Sequence, residues 1–145
     1  MTNIELFSKV TDLATLDEKQ IARITERLPE YKRGSSLIGH STSQSSYSLQ
    51  TMQMISDSPL SRMKQCLAQI DKKYKALQEA YYNIEKKKLT IQRLRKETSA
   101  HARLTIQENE SLIESITISM NSALKEIGMF QDMYDSIKKN NNIPD

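Results

Sequence analysis

From residue 60 onward, apolar side chains recur at alternating intervals of three and four. Leu60, Met63, Leu67, Ile70, Tyr74, Leu77, Tyr81 and Ile84 form an unbroken series; Lys88 takes the next position and Ile91 the one after. A second series with the same rhythm runs through Ile113, Ile116, Met120, Ala123, Ile127, Phe130, Tyr134 and Ile137. Such heptads draw one narrow stripe along a helix and bury it against another helix. Each buried Leu, Ile, Met or Phe contributes about 1.5–3 kcal/mol. A lone helix cannot realise that gain, so the pattern demands a partner.

The two series do not share a register: Asn109 falls at an a position of the first and a d position of the second. Arg95, Thr98 and Ala102, which lie between them, are poor core residues. Either one continuous helix of about 80 residues, on the order of 120 Å long, carries a stutter there, or the chain folds back. Three features point to folding back. The arms 60–96 and 105–139 match in length. Thr105-Ile106-Gln107-Glu108 has the spacing of a capping box. Residues 60–104 hold twelve Lys/Arg against four acids, net +8, whereas 105–145 hold three against seven, net −4, a polarity that suits antiparallel pairing. Against this, Glu97–Ala102 contains neither glycine nor proline, and Ala100 and Ala102 favour helix. An antiparallel helical hairpin and a continuous coiled coil both stay open.

Residues 1–31 predict a pair of short amphipathic helices. Leu6, Val10 and Leu13 share one face of the first. Thr15-Leu16-Asp17-Glu18 has the form of a capping box for the second, Ile21, Ile24 and Leu28 line it, and Pro29 predicts its end. Residues 32–58 are rich in serine, with Gly34 and Gly39, and predict a flexible connector in which Leu49, Met52 and Ile55 mark one short docked helix. Ser58-Pro59 is a strong start for the coiled-coil region 59–139. The segment 140–145, Asn-rich and containing Pro144, predicts a disordered tail.

Composition narrows the picture further. With 37% hydrophobic residues, three glycines, three prolines, no tryptophan and 6% aromatics, the chain lacks the turn residues and β-formers of a sandwich or barrel. The fold class is therefore all-α. No apolar run is long enough to span a bilayer, and Met1–Leu6 lacks the basic flank and apolar core of a signal peptide, so a soluble cytoplasmic protein is expected.

Candidate chemistry is sparse. Gly34-Ser35-Ser36-Leu37-Ile38-Gly39-His40-Ser41 nearly spells a phosphate-binding loop, but His40 stands where the lysine must be, and no buried strand precedes it. His40 and His101 lie 61 positions apart without cysteine partners, so no metal ligand set is expected. Cys66 is the only cysteine and flanks the apolar stripe; it reads as an interface residue, not a nucleophile. No catalytic or cofactor-binding residues are assigned, and neither an enzymatic activity nor a small-molecule substrate is expected. The remaining signal is the basic arm. Lys72 and Lys73, then Lys86, Lys87 and Lys88, then Arg93, Arg95 and Lys96 recur along it as candidate polyanion contacts.

These patterns lead to one reading: a non-enzymatic coiled-coil oligomerisation or adaptor protein, homo-oligomeric through its heptad stripes, with residues 1–31 as a docking module for a protein partner. A nucleic-acid-associated protein using the basic arm 62–103, or a small structural component of a viral or other multi-protein assembly, is the alternative.

Overall fold

The structure is a computed structural model that describes residues 3–42 and 58–143. Four helices run in order: α1 (Asn3–Thr11), α2 (Glu18–Thr42), α3 (Pro59–Leu94) and α4 (Ala100–Asn140). Helices α3 and α4 form an antiparallel hairpin; α2 lies against the half of it farthest from the turn, here called the base, and α1 continues that cover to the middle of α3 at Tyr81.

The turn resolves the choice between hairpin and rod. Helix α3 ends at Leu94, with Arg95 as a right-handed cap. The Lys96 and Glu97 amides donate back to the Arg93 and Leu94 carbonyls at 3.4 and 2.9 Å. Ser99 then adopts extended backbone (φ −71°, ψ 153°), and its hydroxyl accepts from the Ala102 amide at 3.1 Å. A serine in this role satisfies one orphan N–H and starts α4 six residues before Thr105. Thr105 lies inside the helix, where its hydroxyl donates to the His101 carbonyl at 2.9 Å. Among the described residues the turn needs no left-handed backbone; the only positive φ outside glycine is 52° at Asn142. There the Ile143 amide reaches back to the Lys138 carbonyl at 3.0 Å and closes the end of α4; residues 144–145 of the predicted tail lie outside the described residues.

The start of α3 follows its sequence signal: Ser58 caps it and Pro59 occupies the first helical position. The start of α2 does not. Its cap is Asp17, whose carboxylate accepts from the Lys19 amide at 3.1 Å, while the Thr15 amide donates across the fold to Asn121 Oδ1 at 3.1 Å. Pro29 does not end the helix either. Helix α2 passes through it to Thr42, so the first part of the predicted connector is helical. An interior proline removes an N–H and crowds the carbonyl four residues back. In the turn preceding Pro29, the Gln131 side-chain amide supplies an outside donor to the Ile24 carbonyl at 3.4 Å. The expected docked helix at Leu49, Met52 and Ile55 lies outside the described residues.

At the base, α2 runs antiparallel to α3 and parallel to α4. Lys32 bonds Asp71 at 2.5 Å and Gly34 sits against Leu67, while Arg23 and Tyr31 reach Asp132 and Asp135. Phe7 of α1 stacks on Tyr74 with ring centroids 6.0 Å apart, and Tyr31 meets Tyr134 edge-on at 5.2 Å. The core joins Leu6, Phe7, Val10, Ile21, Ile24 and Leu28 to the α3 and α4 stripes. The apolar face that the sequence offers as a docking module is thus buried within the chain itself.

Of the heptad positions in α3, Met63, Leu67, Ile70, Tyr74, Leu77, Tyr81, Ile84 and Ile91 are buried. Leu60 is not; it is 58% exposed. It stands in the first turn, and a helix of 3.6 residues per turn drifts about 20° per heptad from a strict seven-residue repeat. In α4, Met120 and Ile127 are fully buried, whereas Ile113, Ile116, Phe130, Tyr134 and Ile137 are half-buried. Two residues outside the heptad series, Leu124 and Gln131, are more deeply buried than Phe130 or Tyr134. The reason is a second neighbour. Asn121, Leu124, Gly128, Gln131 and Asp135 also recur at threes and fours; Asn121, Gly128, Gln131 and Asp135 touch the α1–α2 connection or α2 itself. Helix α4 therefore carries the wider apolar face of a globular bundle.

Candidate functional site

Two surfaces remain after this packing: a groove at the base and a cluster of cations at the turn. The groove lies between α3 and α4 on the face that α2 does not fill. It encloses about 1110 Å³ and is floored by Cys66, Gln69, Phe130 and Ile137, with Met129 and Met133 along its rim. Both methionines stay largely open to water, at 50% and 45% exposure. Their spacing of four places them on one side of α4. Arg62 stands on the α3 wall and Asp132 on the α4 wall. Unbranched thioethers adapt their shape to an apolar partner, which suits a contact surface better than a fixed pocket.

Cys66 is buried, and that burial pushes its thiol up from the ordinary cysteine range, so it stays protonated at neutral pH. His101 is exposed on α4. Among the described residues, no group of three or more His, Cys, Asp and Glu side chains converges on a metal-sized site. The glycine pair of the loop-like stretch 34–41 lies in helical backbone, which cannot form the nest of amides that cradles a phosphate. No described helix is long and apolar enough to cross a membrane.

The charged groups at the base are structural. Arg27 bonds both Tyr31 and Asp135, the Tyr31 hydroxyl donates to Asp135 Oδ1 at 2.5 Å, and Arg23 pairs with Asp132. This clamp fixes α2 on α4. Burial raises the Tyr31 hydroxyl, partly offset by Arg27. Burial also raises Asp71, but hydrogen bonds and charge from Lys32 and Lys75 overcome it and hold the carboxyl below the usual range. Lys32 also lies over the Tyr74 ring, 4.6 Å from its centroid.

The candidate polyanion residues separate into two sets. Lys73 is half-buried and bonded to Glu126 at 2.6 Å, an ion pair that joins α3 to α4. Lys72 is exposed on the outer side of α3. Lys86, Lys88 and Arg93 are exposed in the last three turns of α3, where Lys87 is half-buried, and Arg95 and Lys96 are exposed in the turn that follows. Lys88 approaches Glu85 at 3.7 Å and Arg95 approaches Glu110 at 3.9 Å. Both occupy heptad positions yet face water, so the seam near the turn rests on Ile84, Ile91 and Ala102. Arg103, in the first turn of α4, adds another exposed cation that motif reasoning passes over. The charge imbalance between the arms is little used for pairing them; the acids Asp132 and Asp135 bond α2 instead.

No known protein family, curated protein or solved structure matches the chain.

Proposed function

We propose that the chain is a non-enzymatic helical assembly protein whose open groove receives the same groove of a second copy. The carrying observation is the asymmetry of the hairpin. One face of its base is sealed by α1 and α2, while the other leaves Met129, Met133 and Phe130 partly or largely open above an apolar floor. The heptad stripes of α3 cannot serve this purpose, because they are buried within the chain. The groove also complements itself. Arg62 stands on its α3 wall; Asp132 on the α4 wall is already bonded to Arg23 of α2, so the surface offered to a second copy is chiefly the apolar rim of Met129 and Met133. A two-fold axis brings that rim against the same rim of the second copy, as an isologous interface requires. Two hairpins back to back complete a four-helix layer in which each α3 and α4 has neighbours on both faces.

Light scattering coupled to size exclusion tests this reading. The wild type is expected to rise from 16.7 kDa toward twice that mass as concentration increases through the micromolar range. Met129→Asp with Met133→Asp places two carboxylates on the rim and is expected to hold the chain at monomer mass with unchanged helicity. A wild type that stays monomeric at all concentrations overturns the proposal.

A further inference from the structure

The turn of the hairpin carries more positive charge than the fold requires. Residues 86–104 contain seven Lys/Arg and one acid, net +6. A helix C-terminus favours a cation or two in its last turn, but Lys86, Lys87 and Lys88 lie two turns earlier. Pairing across the hairpin does not explain the excess either. Among the described residues, Lys88 and Arg95 approach acids only at 3.7 and 3.9 Å, and no acid pairs with Lys86, Lys87, Arg93, Lys96 or Arg103.

We propose that this tip binds the phosphate backbone of duplex nucleic acid, without reading base sequence. Geometry favours a grooved polyanion over a flat one. At about 100° per residue, Lys86 and Arg93 stand on the side of α3 turned away from the Ile84–Ile91 seam, about 10 Å apart along the axis. Lys87 lies on one flank, and Lys96 follows in the turn just beyond the helix end. A bilayer surface meets one side of such a helix; the two phosphate rows that wall a duplex groove about 12 Å wide meet several. Of the large exposed apolar side chains near the turn, Leu104 (59%) shares a shallow pocket with Leu112, but Gln107, Glu108, Ser111 and Ser115 line the rest of it, so it and Leu89 (65%) do not form the continuous apolar face of an interfacial helix. Tyr82 is the exposed aromatic nearest the tip, and Lys86 lies over its ring, 5.0 Å from the centroid. That ring is not presented for base stacking, so the contacts fall on phosphates.

The test is fluorescence anisotropy of a labelled DNA duplex titrated with the full chain at several salt concentrations. Five cations meeting phosphates give a slope of log K against log salt of about −4.5. Lys86→Ala, Arg93→Ala and Lys96→Ala together are expected to weaken binding at least tenfold and reduce the slope by about 2 to 3. All three side chains are exposed, so the folded state is kept, and circular dichroism checks this. The Met129→Asp/Met133→Asp variant is expected to keep the wild-type slope, which separates failure of the tip from failure of self-assembly. No binding at low salt, a slope unaffected by the triple variant, or tighter binding to phosphatidylserine vesicles or to a single strand than to the duplex overturns the proposal.

Discussion

The base and the tip of the hairpin are built from the same two helices but are held in different ways. At the base, α3 and α4 share a core with α1 and α2, and Leu67, Ile70, Leu77, Leu124 and Ile127 are excluded from water. Toward the tip the pair stands without that cover. Ile106, Ile113 and Ile116 are half-buried, Lys88 and Arg95 occupy seam positions, and Asn109 donates to its own helix at Thr105. Two helices alone bury one narrow stripe each; a third neighbour widens it and multiplies the contacts per residue. Stability should therefore be concentrated at the base, and the tip should be the first part to open.

The largest test of that difference is a pair of truncations. Leu77→Ala removes a fully buried side chain of the shared core and should cost about 2–5 kcal/mol in denaturant unfolding. Ile106→Ala removes a half-buried one and should cost about 1 kcal/mol, with its effect on amide exchange confined to the tip. Equal losses would show that the two regions form one cooperative unit. Gly128→Ala probes the α2–α4 contact with the opposite sign. A Cβ there meets Ile24 at 3.4 Å, an ordinary contact, so the gain in helix propensity should stabilise the base by about 0.5–1 kcal/mol.

Smallest is the pH dependence of the Lys32–Asp71–Lys75 cluster. The Asp71 carboxyl is lowered in the folded state, so its contribution is present above the unfolded carboxylate range, near pH 4, and is lost as pH falls through the folded value. Asp71→Asn should flatten the stability profile below about pH 4 and leave the tip's exchange rates unchanged. If stability falls with acid as steeply in the variant as in the wild type, the cluster contributes nothing to the base.

The sequence displays the base of α3 clearly because nearly every heptad position there is apolar, and the period survives the α2 neighbour. It displays α4 poorly for a physical reason. A two-stranded template has no place for Asn121, which accepts from the Thr15 amide in the α1–α2 connection, for Gly128, which makes room for the Ile24 side chain, or for Gln131, which donates to the Ile24 carbonyl. Gln131 keeps one unbonded oxygen in that interior, a buried polar position that no periodicity predicts. Hairpin and rod could not be told apart because the turn is made of ordinary right-handed residues and one serine cap, and Ser99 resembles any other serine until Ala102 is placed beside it. Pro29 misleads because an interior proline is a cost and not an absolute stop: Ile24, Leu28 and Tyr31 are all buried in the shared core, and that packing carries α2 past it. The cationic tip, by contrast, is visible in composition alone; what the fold adds is that those charges stand around the helix end, not against the acidic arm.

The make-up of the turn has a mechanical consequence. Arg95 caps α3 in right-handed backbone and no residue from 95 to 99 requires a left-handed one, so the reversal of direction is not enforced where it occurs. What keeps the molecule bent is leverage from its far end, where α2 bridges both long helices through Leu67 and Asp71 on one side and Gly128 and Asp135 on the other. Loosening that bridge would release the bend some 30 Å or more away, and would free the arms to be traded between neighbouring chains.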